Sequence, residues 1–482
     1  MQRNLVITVL AAAVLSGGAA ILLLRPTPPP PPPPTTWLTS LDIGGVDVLE
    51  LAWPDGREIE IATSDYVPGL WIMRSGDSTW PVGAARVRGA LRLLMDTAAT
   101  PPASDLRAEG GVRVRVGRGM NQRTLRIAAT GLAGQSVVEC EEGESRVSFL
   151  SRGGLAGVFE HASVMAWREE NAFVPVDQAG ASRVSVETAG MRTTLARQNG
   201  RWGVQSPVPG AGEAERVTAL LGALGSLRLR TASGANPEGM GFDRAVFAAS
   251  IEVDLRVGRE GGEVDRRTLA QEMLVGDIAD AAGKTRYARV VATMVDPATG
   301  QRLPAWTPTP GTIEVAALGA ISADPGNYWS RRATAVAPAD VASLRLGGRD
   351  GALETHASPA IQARDRDVIY ARTLDGWSRT QGGISQAASP SASTGVGALI
   401  ALLCDENASI VCPDPPAGTV PLAMAYMHGA GETTLEIVGV GRLEGAGGAA
   451  LIVRTGRLFR VYKGPVAARV LGFLVAETPP EG

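Results

Sequence analysis

Cysteine, histidine and lysine are all scarce in this chain of 482 residues. There are three Cys and three His, and Lys occurs only at Lys284 and Lys463. So few Cys exclude a disulfide-dense scaffold, and so few His leave little room for a multi-His metal centre. An excess of one charge is missing as well: 46 basic residues face 49 acidic ones, a net charge of −3. That balance excludes a nucleic-acid binder as the default, because neutralising phosphates needs a clustered excess of Arg and Lys. What is present is ordinary for a globular protein. Hydrophobic residues make up 45% and charged residues 20%, which argues against wholesale disorder.

Leu5 to Leu24 carries no charge over 20 residues, with Arg3 before it and Arg25 after. At about 1.5 Å per residue such a helix spans roughly 30 Å, the hydrocarbon core of a bilayer. A cleaved signal peptide is the alternative. Against cleavage, the small residues Ser16 to Ala20 are followed by Ile21-Leu22-Leu23-Leu24, so a cleavage site there would interrupt the apolar run and not end it. The reading is a transmembrane anchor over 1–25. No Lys or Arg lies between Arg25 and Arg57, so the bulk of the chain is placed outside the cytoplasm. The expected location is the inner membrane, single-pass, with the C-terminal bulk in the periplasm. Residues 26–36 include seven consecutive prolines, Pro28 to Pro34. Such a run favours polyproline II and reads as a semi-rigid stalk.

The remaining 446 residues read as one unit written three times, over 37–166, 167–328 and 329–482, beginning at Trp37, Trp167 and Trp329. Each opens with alternating strands: Val46 to Leu51 and Glu58 to Ile61; Arg183 to Glu187 and Thr194 to Arg197; Ser343 to Leu346 and Val368 to Ala371. A Trp-bearing segment follows, then a helix with one apolar face. The helix positions are Val87, Leu91, Leu94 and Met95, then Val217, Leu220, Leu221, Leu224 and Leu227, then Val396, Leu399, Ile400, Leu402 and Leu403. In the third unit, Gln381 to Thr394 reads as a loop. Further strands and a short helix complete each unit. The half-polar strands suit antiparallel sheets with one solvated face. The expected fold is α+β: three tandem strand-rich modules, each with one long and one short helix.

Trp167-Arg168, Arg183-Val184-Ser185-Val186, Gly200-Arg201-Trp202-Gly203-Val204, Ser206-Pro207 and the leucine-rich helix together resemble the bacterial domain of unknown function 4340 family. The resemblance is strongest over 167–330 and weaker in the flanking units. Trp80-Pro81 matches in the first, and Trp377 is not followed promptly by Pro in the third. The resemblance implies an exported, membrane-anchored protein, in some cases encoded beside gliding-type ABC transporter subunits. It supplies no catalytic residues.

Reactive constellations are not evident. His161 reads as a capping or surface residue near a helix end, and His356 and His428 lie in loop-like sequence without a partner at fixed spacing. No nucleophile elbow is present. Cys404 and Cys412 admit a disulfide in an oxidising compartment or, equally, a buried thiol and a loop thiol; Cys140 is remote. Gly439-Val440-Gly441 and Gly445-Ala446-Gly447-Gly448 lack the Lys of a phosphate loop and read as hairpin turns. Glu252 and Asp254 share a strand face that reads as solvated. Trp71, Trp80, Trp202 and Trp377 recur near one position and read as core, with sugar stacking as the other use of exposed Trp. No catalytic, cofactor-binding or metal residue is assigned. The function expected is a non-enzymatic, membrane-anchored extracytoplasmic accessory or scaffold protein. Its partners would be the bilayer, through residues 5–24, and an envelope protein such as an ABC transporter subunit. The alternative is a cell-wall or polysaccharide binder.

Overall fold

The computed structural model describes residues 45–477, apart from 65–66, 68, 97–98, 101–106, 120, 131–133, 143–144, 152–153, 160–163, 175–177, 232–236, 259–263, 297, 350–351, 355–366 and 445–447. The expected anchor and stalk, Trp37, His161 and His356 lie outside the described residues. Among the described residues no helix is long and apolar enough to cross a membrane.

Three sheets follow one another along the chain. The first comprises β1 (Val48–Ala52), β2 (Glu58–Thr63), β3 (Trp71–Ser75), β4 (Ser78–Val82), β5 (Ala99–Thr100), β6 (Val112–Arg118), β7 (Asn121–Ala129), β8 (Ser136–Glu142) and β9 (Ser145–Ser151), with helices α1 (Ala84–Asp96) and α2 (Leu155–Phe159). The second comprises β10 (Ala181–Thr188), β11 (Met191–Gln198), β12 (Arg201–Ser206), β13 (Gly210–Ala211), β14 (Arg230–Thr231), β15 (Phe247–Gly258), β16 (Val264–Ile278), β17 (Thr285–Val295), β18 (Arg302–Pro304) and β19 (Thr309–Glu314), with α3 (Ala214–Ser226) and α4 (Val315–Leu318). The third comprises β20 (Ser343–Gly347), β21 (Val368–Thr373), β22 (Gly376–Gln381), β23 (Ile384–Ala387), β24 (Ile410–Cys412), β25 (Thr419–His428), β26 (Thr434–Leu443), β27 (Ala450–Thr455) and β28 (Leu458–Tyr462), with α5 (Pro390–Cys404) and α6 (Pro465–Glu477).

The strand orders are β4-β3-β2-β1-β6-β7-β8-β9-β5, β13-β12-β11-β10-β15-β16-β17-β19-β14 and β23-β22-β21-β20-β25-β26-β27-β28-β24, with β18 pairing off the path to β17. Set aside β18 and the three orders are one. Four strands run outward as a meander, a helix carries the chain back across the sheet, and a short fifth strand starts the far edge. The next four strands then fill the space between. Every registered pairing is antiparallel, as between β1 and β6, β10 and β15, and β20 and β25. The architecture is α+β and strand-rich.

Local chemistry accounts for the elements. In β6, Val112, Val114 and Val116 are buried while Arg113 and Arg115 face solvent, so burying one face fixes the register. Asn199 and Gly200 both take positive φ, 50° and 79°, the backbone that a two-residue hairpin between β11 and β12 requires. On α3, Val217, Leu220, Leu221 and Leu224 are buried as the spacing predicts. Val396, Leu399, Ile400, Leu402 and Leu403 are buried on α5.

Several expectations need correction. The helix closing the third sheet is not short: α6 has 13 residues. The stretch read as a loop from Gln381 to Thr394 holds β23 and the start of α5. The one-solvated-face reading describes β6 and β17 but not β27 and β28 of the third sheet, where every residue except the half-buried Thr455 is buried. One face of that sheet takes α5 and α6, with Leu451, Val453, Val470 and Leu474 in the shared core. On the other face Ala450, Ile452, Phe459 and Val461 pack with Leu353 from the segment that leaves β20. Gly439 and Gly441 are not turn residues. They lie inside β26, where a Cβ on Gly439 would stand 1.5 Å from the Ala352 carbonyl oxygen and one on Gly441 2.9 Å from Leu353 Cδ1. Glycine is needed there for close approach.

Contacts divide the chain into two compact units. One holds the described part of residues 1–62 together with 85–163; the other holds 63–84 together with 164–482. In the first, the Trp53 indole Nε1 donates to the Phe159 carbonyl at 3.0 Å and holds α2 in place. In the second, Val67 and Leu70 ahead of the β3–β4 hairpin share a cluster with Leu269, Ala292, Met294 and Trp306.

Candidate functional site

The residues singled out for chemistry do not converge. His428 ends β25, half-buried, with Nδ1 3.3 Å from the Thr434 hydroxyl. Glu252 is half-buried and Asp254 exposed on β15, and the Thr268 hydroxyl donates to Asp254 at 3.0 Å. No disulfide joins the cysteines: Cys140 and Cys404 are buried and Cys412 is half-buried. Burial pushes the Cys404 thiol up to about 11, and burial also raises Cys412. Among the described residues no group of three or more His, Cys, Asp and Glu side chains could hold a metal ion.

The recurring Trp residues divide. Trp71, Trp202 and Trp377 stand at the first or second position of the third strand in their sheets, whereas Trp80 sits on the fourth strand of the first sheet. Trp71 is buried; Trp80, Trp202 and Trp377 are half-buried. The Arg372 guanidinium lies 5.3 Å from the centre of the Trp377 ring.

What the structure does assemble is a pair of linker seats. After the first sheet, Arg168 bridges Val82 and the Glu169 N–H donates to the Pro81 carbonyl at 2.8 Å. The next carbonyl, of Glu170, accepts from the Leu229 N–H at 2.6 Å, beyond α3. After the second sheet, Trp329 bridges Gly212 and the Ser330 N–H donates to the Ala211 carbonyl at 2.8 Å. The Arg331 carbonyl then accepts from the Ala408 N–H at 3.0 Å, beyond α5. In each case one residue reaches back to the fourth strand of the preceding sheet. The next residue is held by the loop beyond the helix of its own module. By this register Arg168 corresponds to Trp329, so Trp167 is matched by Tyr328. Both aromatics are buried.

The second seat is lined with buried polar groups. Arg460, 2% exposed, donates from Nε to the Ser330 carbonyl at 3.0 Å. The Tyr462 hydroxyl donates to the Arg331 carbonyl at 3.3 Å, and the Thr334 hydroxyl to Glu436 Oε2 at 3.3 Å. Burial lowers Arg460 from the usual guanidinium range, and burial holds the Glu436 carboxyl above the usual carboxylate value. Trp329 completes the seat: it is buried and its Nε1 donates to the Val208 carbonyl at 3.1 Å.

A groove of about 560 Å³ opens at the first turns of α5, lined by Pro390, Ser391, Thr394, Arg469, Phe473 and Glu477. Gly395 lets the Phe473 ring pack close against α5: a Cβ there would meet it at 2.4 Å. Beside it Arg379 Nε donates to Glu477 Oε2 at 3.1 Å. Its lining mixes hydroxyl, charged and apolar side chains.

Sequence reasoning missed the seats because they are made by backbone groups of unremarkable residues. The one available signal was the aromatic that opens each unit. No family model matches this chain. No curated protein matches it either.

Proposed function

We propose that this protein is a non-enzymatic, membrane-anchored accessory or scaffold of the cell envelope. In this reading residues 5–24 hold it in the inner membrane, the proline run spaces it from the bilayer, and three modules present contact surface in the periplasm. The observation that carries the reading is serial repetition. One strand order is used three times, and at two junctions the linker fastens on the preceding sheet by the same pair of backbone bonds. Such arrays suit contact-making over an extended surface. The resemblance to the domain of unknown function 4340 family adds the class of partner, an ABC-type transporter subunit. In-membrane crosslinking followed by mass spectrometry tests the proposal. Recovery of an integral envelope complex is the expected result; recovery of none overturns it.

The half-buried Trp202 and Trp377, at one position of two sheets, favour a second reading as a polysaccharide binder, since an exposed ring face stacks on sugars. Cosedimentation with cell-wall polysaccharide tests this. Loss of binding in Trp377→Ala supports it, and no binding by the parent chain removes it.

A further inference from the structure

Among the described residues, none fills the matching linker seat on the third sheet. The Ala388 N–H donates to the Trp377 carbonyl at 2.8 Å, as the Gly212 N–H donates to the Trp202 carbonyl at 2.9 Å. Ala388 therefore occupies the place of Gly212, and Ala387 that of Ala211, whose carbonyl accepts from Ser330. Strand alternation turns the Ala387 carbonyl away from β22. Among the described residues none bridges Ala387 or Ala388 on that outer side. Ser389 likewise caps α5 where Glu213 precedes α3, and the Glu213 N–H is held by the Tyr328 carbonyl at 2.7 Å. All four residues of β23 are exposed, Ile384 at 72%, while β4 ends in two buried residues, Pro81 and Val82.

The chain also contains a further linker-like segment, ahead of the first sheet. Trp37-Leu38-Thr39-Ser40 lies outside the described residues and opens the first unit with an aromatic, as Trp167-Arg168-Glu169-Glu170 opens the second. We propose that this segment of a second copy of the chain docks on β23. Leu38 pairs with Ala388 as Arg168 pairs with Val82. The Thr39 N–H donates to the Ala387 carbonyl, and the Trp37 ring enters the groove at the first turns of α5. The contact is β-strand addition at an open edge. It is head-to-tail, so it propagates from copy to copy until geometry closes it. It does not depend on the envelope partner: failure here leaves that reading standing.

Directed disulfide formation in the full-length chain in detergent tests the docking. Bridge partners in antiparallel strands bring their Cα atoms about 4.5–5.5 Å apart, within disulfide reach. Leu38→Cys and Ala388→Cys are made on separate chains and mixed. The parent, whose Cys140 and Cys404 are buried, sets the background. Val82→Cys with Arg168→Cys on one chain is the positive control for folding and geometry, and links internally. The expected result is a disulfide-linked species of twice the chain mass in the mixture. Adding Trp37→Ala to the Leu38→Cys chain lowers its yield at least about tenfold, the effect of removing a central aromatic anchor. No link in the mixture, with the control formed, overturns the proposal. So does a link that forms only within one chain when both substitutions are combined. Capture of a different protein at Ala388→Cys overturns it too.

Discussion

Gly439→Ala is the sharpest test of how the third sheet is covered. The new Cβ would sit 1.5 Å from the Ala352 carbonyl oxygen. A carbon–oxygen contact needs about 3.3 Å, so the backbone at Ala352 must retreat by roughly 2 Å. That retreat breaks the bond from Arg454 Nε to the same oxygen, now 2.9 Å, and Arg454 is only 7% exposed. A hydrogen bond from a charged donor contributes about 1.5–3 kcal/mol, with more lost when the group stays buried without a partner. Opposing this, Ala is favoured over Gly inside a strand by roughly 0.5–1 kcal/mol. The balance is a local destabilisation of about 2 kcal/mol, or about 30-fold faster amide hydrogen exchange across β26 and β27. Gly397→Ala is the companion. It lies within α5 with nothing within 4 Å of its Cβ, so it is expected to stabilise by up to about 1 kcal/mol. Exchange in Gly439→Ala within threefold of the parent, or the same response from both variants, would refute the close-approach argument.

Glu436 makes stability depend on pH, and burial, its largest influence, raises its folded-state value above 4.5. Below 4.5 both states are protonated and the group contributes nothing. As pH rises from 4.5 through the raised value, the unfolded chain ionises first and stability falls. Glu436→Gln is therefore expected to gain urea resistance relative to the parent between pH 4.5 and neutrality; an unchanged difference across that range counts against the burial argument. Alkylation after unfolding without reductant is expected to label three thiols, since no cysteine is in a disulfide; a single label would show Cys404 joined to Cys412. Trp53→Phe removes the indole bond to Phe159 and is expected to cost about 1 kcal/mol in thermal unfolding of the first unit. No loss would mean that α2 is held by packing alone.

Much of the fold was legible because half-burial leaves a period of two. Val112 to Val116 and Val184 with Val186 announced their strands, and the leucines of α3 announced their helix. The strands that escaped notice share a cause. The longest, β16, contains Arg266, Arg267, Leu269, Gln271, Glu272 and Met273, residues common in helices, and tertiary context overrides that preference. β25 runs through Leu422, Ala423, Met424, Ala425, Tyr426 and Met427, all buried, so burial on two faces erased its alternation. The edge strands β5, β13 and β14 have two residues each, too few to show any period. The glycines of β26 were misread because a close approach and a turn demand the same residue. Choosing between them needs the partner, which is 87 positions away at Ala352. The linker seats were least legible of all: their contacts are main-chain N–H and carbonyl groups, which every residue carries.

The shared strand order also has a consequence for synthesis. Among the described residues, the fifth strand of each sheet emerges before the one strand it pairs with, the last to be made. The outer hairpin of the first sheet, and likewise that of the second, gains its linker contact only when the following unit begins to leave the ribosome. A chain that folds from its N-terminus therefore carries a provisional edge at every stage, capped by whatever is translated next. Truncating the protein after residue 166 or 328 would remove more than a module: it would leave the previous one with the exposed margin that evolution otherwise hands to its successor.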